Sequence, residues 1–152
     1  MDIKVYTDGS CYSNLKIGGW GVYIVAGERS IKFSGACSCK DSTSVEFLAV
    51  LKALEYLDYY FDNIDRVSFY TDCDYVVKVI REFESKGRFS FRSKTSQKNR
   101  KNISTLLHYV SLLPIDWYVI KSHRGNKGNK IADSLARKAA QLYIKQKKKG
   151  DL

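Results

Sequence analysis

The pattern of apolar and polar positions divides the chain into short strand-like runs and longer helical ones. Residues 3–7 are rich in β-branched and aromatic side chains and are expected to form a strand. Gly18-Gly19-Trp20-Gly21 leads into a second strand over 20–26. Gly27-Glu28 has the character of a hairpin turn and 30–36 supplies a third strand, so an antiparallel meander is expected. The period then changes. Val50, Ala53, Leu54, Leu57 and Phe61 recur at helical spacing, which predicts a helix over 42–60 with Asp41, Ser42 and Thr43 as N-cap candidates. A fourth strand is expected over 66–71 and helices over 74–83 and 102–113, the latter stopped by Pro114, the single proline. A fifth strand over 116–121 and a closing helix over 131–147 follow, the helix carrying Ile131, Leu135, Ala139 and Leu142 on its apolar stripe. This order predicts an α/β sandwich on a mixed five-stranded sheet with helices on both faces.

Composition narrows the picture. At 152 residues and 44% apolar content the chain can bury a core and fits one globular domain. The domain is expected over 1–144, with a basic protrusion over about 84–102 and a basic tail over 145–152. The opening residues lack the blocks of a secretory signal, and no apolar run approaches the ~20 residues of a membrane span. A soluble, cytoplasmic protein is expected. No self-pairing surface is evident, so a monomer with no obligate protein partner is expected too. Cys11, Cys37, Cys39 and Cys73 form no paired metal-binding spacing, and in a cytosolic setting all are expected to be reduced.

The net charge of +10 points to a polyanion, nucleic acid first. Segment 86–101 holds Lys86, Arg88, Arg92, Lys94, Lys98, Arg100 and Lys101 with no acid, and Phe89 and Phe91 are interleaved. Lys145, Lys147, Lys148 and Lys149 form a second basic stretch at a helix C-terminus, where positive charge is favourable.

Four carboxylates stand out. The first strand runs Val5-Tyr6-Thr7-Asp8 and the fourth Phe69-Tyr70-Thr71-Asp72. Strand side chains alternate, so if the two strands are parallel neighbours, Asp8 and Asp72 meet at their carboxyl ends. Two ordinary strand-ending turns would read the same way. Glu46 falls on the apolar stripe of its helix with Val50, Ala53 and Leu57, where a carboxylate is costly unless paired or bound to a cation. A helix-start acid curled out to water is the alternative. Asp133 flanks the stripe of the last helix. Clustered carboxylates of this kind suit two divalent ions clamping a phosphodiester, with Mg²⁺ or Mn²⁺ matching hard oxygen ligands.

Three segments carry a family resemblance. The first is Tyr6-Thr7-Asp8-Gly9-Ser10-Cys11, followed by Asn14 and Gly18-Gly19-Trp20-Gly21. The second is Glu46-Phe47-Leu48-Ala49 through Ala53-Leu54, followed by Tyr70-Thr71-Asp72. The third is Ser122-His123-Arg124-Gly125 through Gly128-Asn129-Lys130-Ile131-Ala132-Asp133, then Leu135-Ala136. Over nearly its whole length the chain resembles a type 1 ribonuclease H. The resemblance implies strand order 3-2-1-4-5 with strand 2 antiparallel. It implies endonucleolytic cleavage of the RNA strand of RNA–DNA hybrids, leaving 5′-phosphate and 3′-hydroxyl ends. Asp8, Glu46, Asp72 and Asp133 would bind two divalent ions, Mg²⁺ or Mn²⁺, one activating water and the other stabilising the leaving oxygen. His123 would assist the reaction or product release. Asn129 would orient its loop or touch substrate, while a helix N-cap suits an asparagine equally.

Substrate contacts follow from the same resemblance. Backbone groups at Gly9, Ser10 and Cys11, with Asn14, match positions that touch RNA, where 2′-hydroxyls distinguish the strands. Ser42-Thr43-Ser44 stands where many relatives carry Asn or Gln, and Ser42 and Thr43 are shorter hydrogen-bonding groups. Asp41 stands where some relatives help to bind a DNA phosphate, so that pocket is expected to be altered. Phe83 falls near an aromatic that underlies a deoxyribose. Lys94, Lys98, Arg100, Lys101 and Asn102 belong to the protrusion that grips the DNA strand, and contacts to phosphate would give affinity without sequence preference. Three competing readings are a DNA-acting polynucleotidyl transferase of related architecture, a non-catalytic binding module, and the corresponding part of a retroelement or viral enzyme. The Asp8-Gly9-Ser10 turn and the His123 loop disfavour the first, the four-carboxylate set disfavours the second, and Met1 just before the first strand favours a free-standing protein over the third.

Overall fold

The meander and the crossover helix together place one strand at the centre of the sheet. In a computed structural model, which describes residues 1–120 and 126–150, the strands are β1 (Asp2–Tyr12), β2 (Ile17–Ala26), β3 (Arg29–Ser38), β4 (Arg66–Thr71) and β5 (Ile115–Val119). The helices are α1 (Ser42–Tyr60), α2 (Asp74–Lys86), α3 (Lys94–Lys98), α4 (Arg100–Leu112) and α5 (Lys127–Lys148). The sheet order is β3-β2-β1-β4-β5, with β2 antiparallel to both neighbours and β1, β4 and β5 parallel. The expected architecture is the one observed. Tyr6 is level with Tyr70 across β1 and β4, and their rings stack at 4.8 Å.

Neighbouring residues of β2 point to opposite faces, and glycines there reveal what lies on each side. A Cβ at Gly18 would press on Val45 of α1, whereas one at Gly21 would lie 2.8 Å from Leu135 Cβ of α5. So α1 and α5 cover opposite faces. On the α1 side, Phe47, Val50, Leu54 and Leu57 pack on Ile3, Val5, Ile24 and Phe69, and α4 adds Ile103 and Leu106. Fully burying each such side chain contributes roughly 1.5–3 kcal/mol. No helix among the described residues is long and apolar enough to cross a membrane.

Several boundaries differ from the sequence expectation. β1 does not end at Thr7 but runs to Tyr12, because Asp8 to Tyr12 continue the ladder with β2 as far as Ile17. The Asp8-Gly9-Ser10 segment is therefore strand, not turn. α5 starts at Lys127, since Asn126 caps it by accepting the Asn129 N–H at 2.8 Å. Gly128 and Asn129 carry no apolar signal, so the periodic pattern starts later than the helix. The same helix continues through Lys148, leaving its lysines exposed. Within the basic segment, α3 is an additional short helix, capped by Ser93.

The cysteine expectation is corrected as well. Cys11 and Cys39 form a disulfide, with Cα atoms 6.0 Å apart, while Cys37 and Cys73 are free. The end of β1 and the approach to α1 return to one corner of the sheet and bring the two within bridging range. Twenty-eight residues of separation hide this in the sequence.

At Gly19 and Gly21 the sheet approaches α5 so closely that added methyl groups would press on the helix backbone. Gly21→Ala is expected to destabilise the protein by about 1–3 kcal/mol, read as a lower urea midpoint. An unchanged midpoint would show that α5 can retreat freely.

Candidate active site

Two features of the fold deliver three carboxylates to one point. The parallel pairing of β1 and β4 sets Tyr6 beside Tyr70, so Asp8 and Asp72, two residues further along, arrive side by side at the carboxyl edge. The third carboxylate arrives from α1. Gly9 lies so close to the first turn of that helix that a Cβ there would sit 2.6 Å from the Glu46 backbone nitrogen. With no side chain at Gly9, Glu46 can stand beside Asp8. Ligand atoms of Asp8, Glu46 and Asp72 all lie within 4.8 Å of one another. Asp8 is only 3% exposed, and its Oδ1 accepts the Gly9 N–H at 2.9 Å.

The electrostatics show what the cluster lacks. Burial first, then the charge of Asp72 and the hydrogen-bonding contact with Asp133, raise the Asp8 carboxyl far above the usual carboxylate range. Burial and then the Asp72 charge push Glu46 up to about 7, against the opposing hydrogen bond from the Cys73 thiol. Burial also pushes the Cys73 thiol up to about 12, with Glu46 and Asp72 adding to the rise. Three acids with oxygen donors turned toward each other and no described cation among them fit a hard divalent ion, whose charge would reverse these shifts. The rest of α1 supports the cationic reading of Glu46. The nearest lysine on the helix, Lys52, is turned away and sits over the Trp20 ring at 5.6 Å.

Asp133 stands apart from the trio. It lies in the second turn of α5, touches Asp8, and meets Arg137 Nη2 at 3.0 Å through its Oδ2. That i,i+4 pair was visible in the sequence spacing but was not singled out. Cys73 was also missed; its only sequence signal is that it follows Asp72. Asn129 is fully buried inside α5, so the N-cap alternative for it fails and Asn126 takes that role. His123 lies outside the described residues.

The proposed substrate contacts are spread around this centre. Gly9, Ser10 and Cys11 lie on β1, the Cys11 side chain being held in the disulfide. Asn14 sits on the exposed turn between β1 and β2. Ser42 and Thr43 open α1, and Phe83 is half-buried on α2. Lys94 and Lys98 lie on α3, while Arg100, Lys101 and Asn102 start α4. The protrusion is anchored rather than loose. Phe89 and Phe91 pack edge to face at 5.1 Å and against the core, Arg100 lies over the Phe91 ring at 4.1 Å, and the Ser90 N–H donates to Glu82 at 3.0 Å.

A pH dependence follows for the metal-free protein. The folded state holds protons on Glu46 and Asp8 more tightly than the unfolded chain does. Their contribution is full below the unfolded carboxyl range, near 4.5 for Glu46, and is lost as pH rises through about 7 for Glu46 and higher for Asp8. Thermal denaturation in EDTA is expected to show stability falling between pH 5 and pH 8. Asp72→Asn should recover about 1 kcal/mol or more at pH 8 and little at pH 5. A flat profile, or no recovery, would refute the mutual repulsion.

Comparison with known proteins agrees with this geometry. A family model described as RNase H matches residues 1–141. A ribonuclease H of Ruthia magnifica is 33% identical over 138 residues, spanning 88% of this chain and 92% of the relative. One from Ralstonia nicotianae is 32% identical over 146 residues, covering 93% of each. RNase H1 of the halophilic archaeon Halobacterium salinarum shares the fold with a TM-score of 0.69 at 19% identity, covering 93% of this chain and 98% of that one. LC11-RNase H1, solved in complex with an RNA/DNA hybrid, gives 0.71 at 20%, covering 93% and 99%. The sheet order, the carboxylate cluster at its edge and a family match over nearly the full length lead to one conclusion: this chain belongs to the ribonuclease H family and is a nuclease.

Proposed function

We propose that the chain hydrolyses the RNA strand of RNA–DNA hybrids by two-metal-ion catalysis, leaving 5′-phosphate and 3′-hydroxyl ends. The observation that carries this reading is the meeting of a buried Asp8 with half-buried Glu46 and Asp72 at the carboxyl edge of the sheet. The solved LC11-RNase H1 complex with hybrid supports the substrate. Asp8, Glu46 and Asp72 would hold the ions, and Asp133 would complete the set from α5. Bound Mg²⁺ or Mn²⁺ would supply Lewis-acid charge for activating water and stabilising the leaving 3′-oxygen. The chain's own task is positioning. Acids at this edge repel phosphate unless cations are present, so substrate and ions are expected to bind together. His123 would carry a proton near the reacting phosphate or speed product release.

The basic surface supplies the grip. Lys94, Lys98, Arg100 and Lys101 sit on two consecutive helices tied to the core through Phe89 and Phe91, so their charges are held in a fixed arrangement. We assign them to DNA-strand phosphates and Phe83 to a sugar face. Backbone groups of residues 9–11, with Asn14, Ser42 and Thr43, are assigned to the RNA strand, whereas Asn129, fully buried in α5, is left the orienting role.

Cleavage of an end-labelled hybrid with Mg²⁺, with Mn²⁺ and with EDTA, beside duplex DNA and duplex RNA, tests the reaction. Metal-dependent cutting of the hybrid's RNA strand alone is expected. Asp8→Asn and Asp72→Asn should each lower cleavage at least ~100-fold with the fold intact. Full activity in either would remove the assignment, and a hybrid bound but never cut would favour a binding module. Neutralising Lys94, Lys98 and Arg100 together should flatten the salt dependence of hybrid binding by up to about 0.9 per lost phosphate contact. An unaltered slope would exclude the protrusion from the interface.

A further inference from the structure

On the α5 side of the sheet, opposite α1, four lysines border one groove of about 310 Å³. Lys127, Lys130 and Lys138 come from α5 and Lys32 from β3, and all four are exposed. Ile131 and Leu135 give the groove an apolar floor along which lysine stems can lie, and Ser134 adds a hydroxyl. Lys32 sits over its cross-strand partner, with its Nζ 5.7 Å from the Tyr23 ring centre.

No acid lines the groove. β2 and β3 contain none, and the single acid of α5, Asp133, is engaged with Arg137 at 3.0 Å. None of the four lysines has an ion pair among the described residues. The fold does not account for these charges. Lys127 and Lys130 stand at the start of α5, where the helix dipole disfavours cations, and at three residues apart they are surface neighbours of like charge. Lys145, Lys147 and Lys148, in the last turn of the same helix, are favoured by that dipole and need no partner. The groove therefore gathers mutually repelling charge that a bound anion would relieve.

We propose that this groove is a second nucleic-acid contact, binding backbone phosphates of the stretch that continues past the catalytic edge on the side away from the protrusion. The inference rests on the hybrid-cleavage reading for what lies at that edge. Placement argues for nucleic acid as the anion. α4, which carries part of the protrusion, packs on α1, whereas the groove lies on the opposite face. Asp133, which touches Asp8, follows Lys130 by about one turn of the same helix. A duplex crossing the edge thus has the protrusion on one side and the start of α5 on the other. Phosphate contacts there add affinity without sequence preference, and only a substrate long enough to reach α5 gains them.

The test variant combines Lys32→Gln, Lys127→Gln, Lys130→Gln and Lys138→Gln, all exposed positions away from the carboxylates and the protrusion. KM and kcat of the metal-loaded enzyme are measured on a short hybrid and on the same hybrid extended by duplex at one end or the other. The parent chain is expected to show a lower KM for one of the two extended hybrids. The variant should lose that gain, keep kcat on the short hybrid, and bind the extended hybrid with a salt dependence shallower by about 0.9 for each lost phosphate contact. A control variant with Lys145, Lys147, Lys148 and Lys149 changed to Gln removes equal charge from the far end of α5 and should retain the gain. No gain from either extension, or an equal loss in both variants, would overturn the proposal. A second arm needs no cleavage. Duplex DNA is titrated against the metal-loaded proteins, and the groove variant should bind it more weakly than the control variant does. If the hybrid is never cut but this difference persists, the hybrid-cleavage reading fails and the groove stands. If the two variants bind duplex DNA alike, the groove is not a nucleic-acid contact.

Discussion

The close approach of β1 to the first turn of α1 at Gly9 is the constraint on which the site depends. A methyl group there would meet backbone rather than a movable side chain, so the strand and helix could not both keep their places. Because they do, the carboxylate of a strand residue and that of a helix residue share one small volume. The parallel pairing of β1 with β4 then adds Asp72 from the other side. Strand register and one missing side chain thus fix the distances on which the chemistry depends.

That convergence is unfavourable for the protein alone. Burial and mutual repulsion raise Asp8 and Glu46 out of the usual carboxylate range, and the described surroundings offer a thiol and an aspartate rather than a cation. The structure around the cluster absorbs the cost. Phe47, Val50, Leu54 and Leu57 hold α1 against the sheet just beyond Glu46, and Ala132, Ala136 and Ala140 let α5 lie close on the opposite face. A stable scaffold of this kind can carry a locally unstable acidic site, and the same imbalance would favour binding of a divalent ion.

The basic surface follows a different rule. Most of its charges are exposed, and each contributes through number and placement rather than burial. Aromatic anchoring by Phe89 and Phe91 and the contact of Arg100 with Phe91 give those charges a fixed frame. The ion pair between Asp41 and Lys98 ties the same surface to the start of the helix that bears Glu46. The basic surface and the carboxylate cluster are therefore connected through α1.

The sequence by itself determined the order of the strands and of the four longer helices, and the bounds of α1 and β4, because strong periodicity and clear punctuation are local signals. It also marked Asp8, Glu46 and Asp72 as candidates, but each alone reads equally as a turn or helix-start acid, and the family resemblance was needed to set them apart. What it could not determine depends on partners far along the chain. β1 continues past Asp8 only because β2 offers a ladder to pair with, and α5 begins early because Asn126 supplies a cap that carries no periodic mark. The Cys11–Cys39 disulfide, the Cys73 thiol against Glu46 and the meeting of Asp41 with Lys98 are contacts between segments, the last joining residues 57 positions apart. Side-chain identity states what each residue can do, but only the packed sheet and helices decide which of them meet.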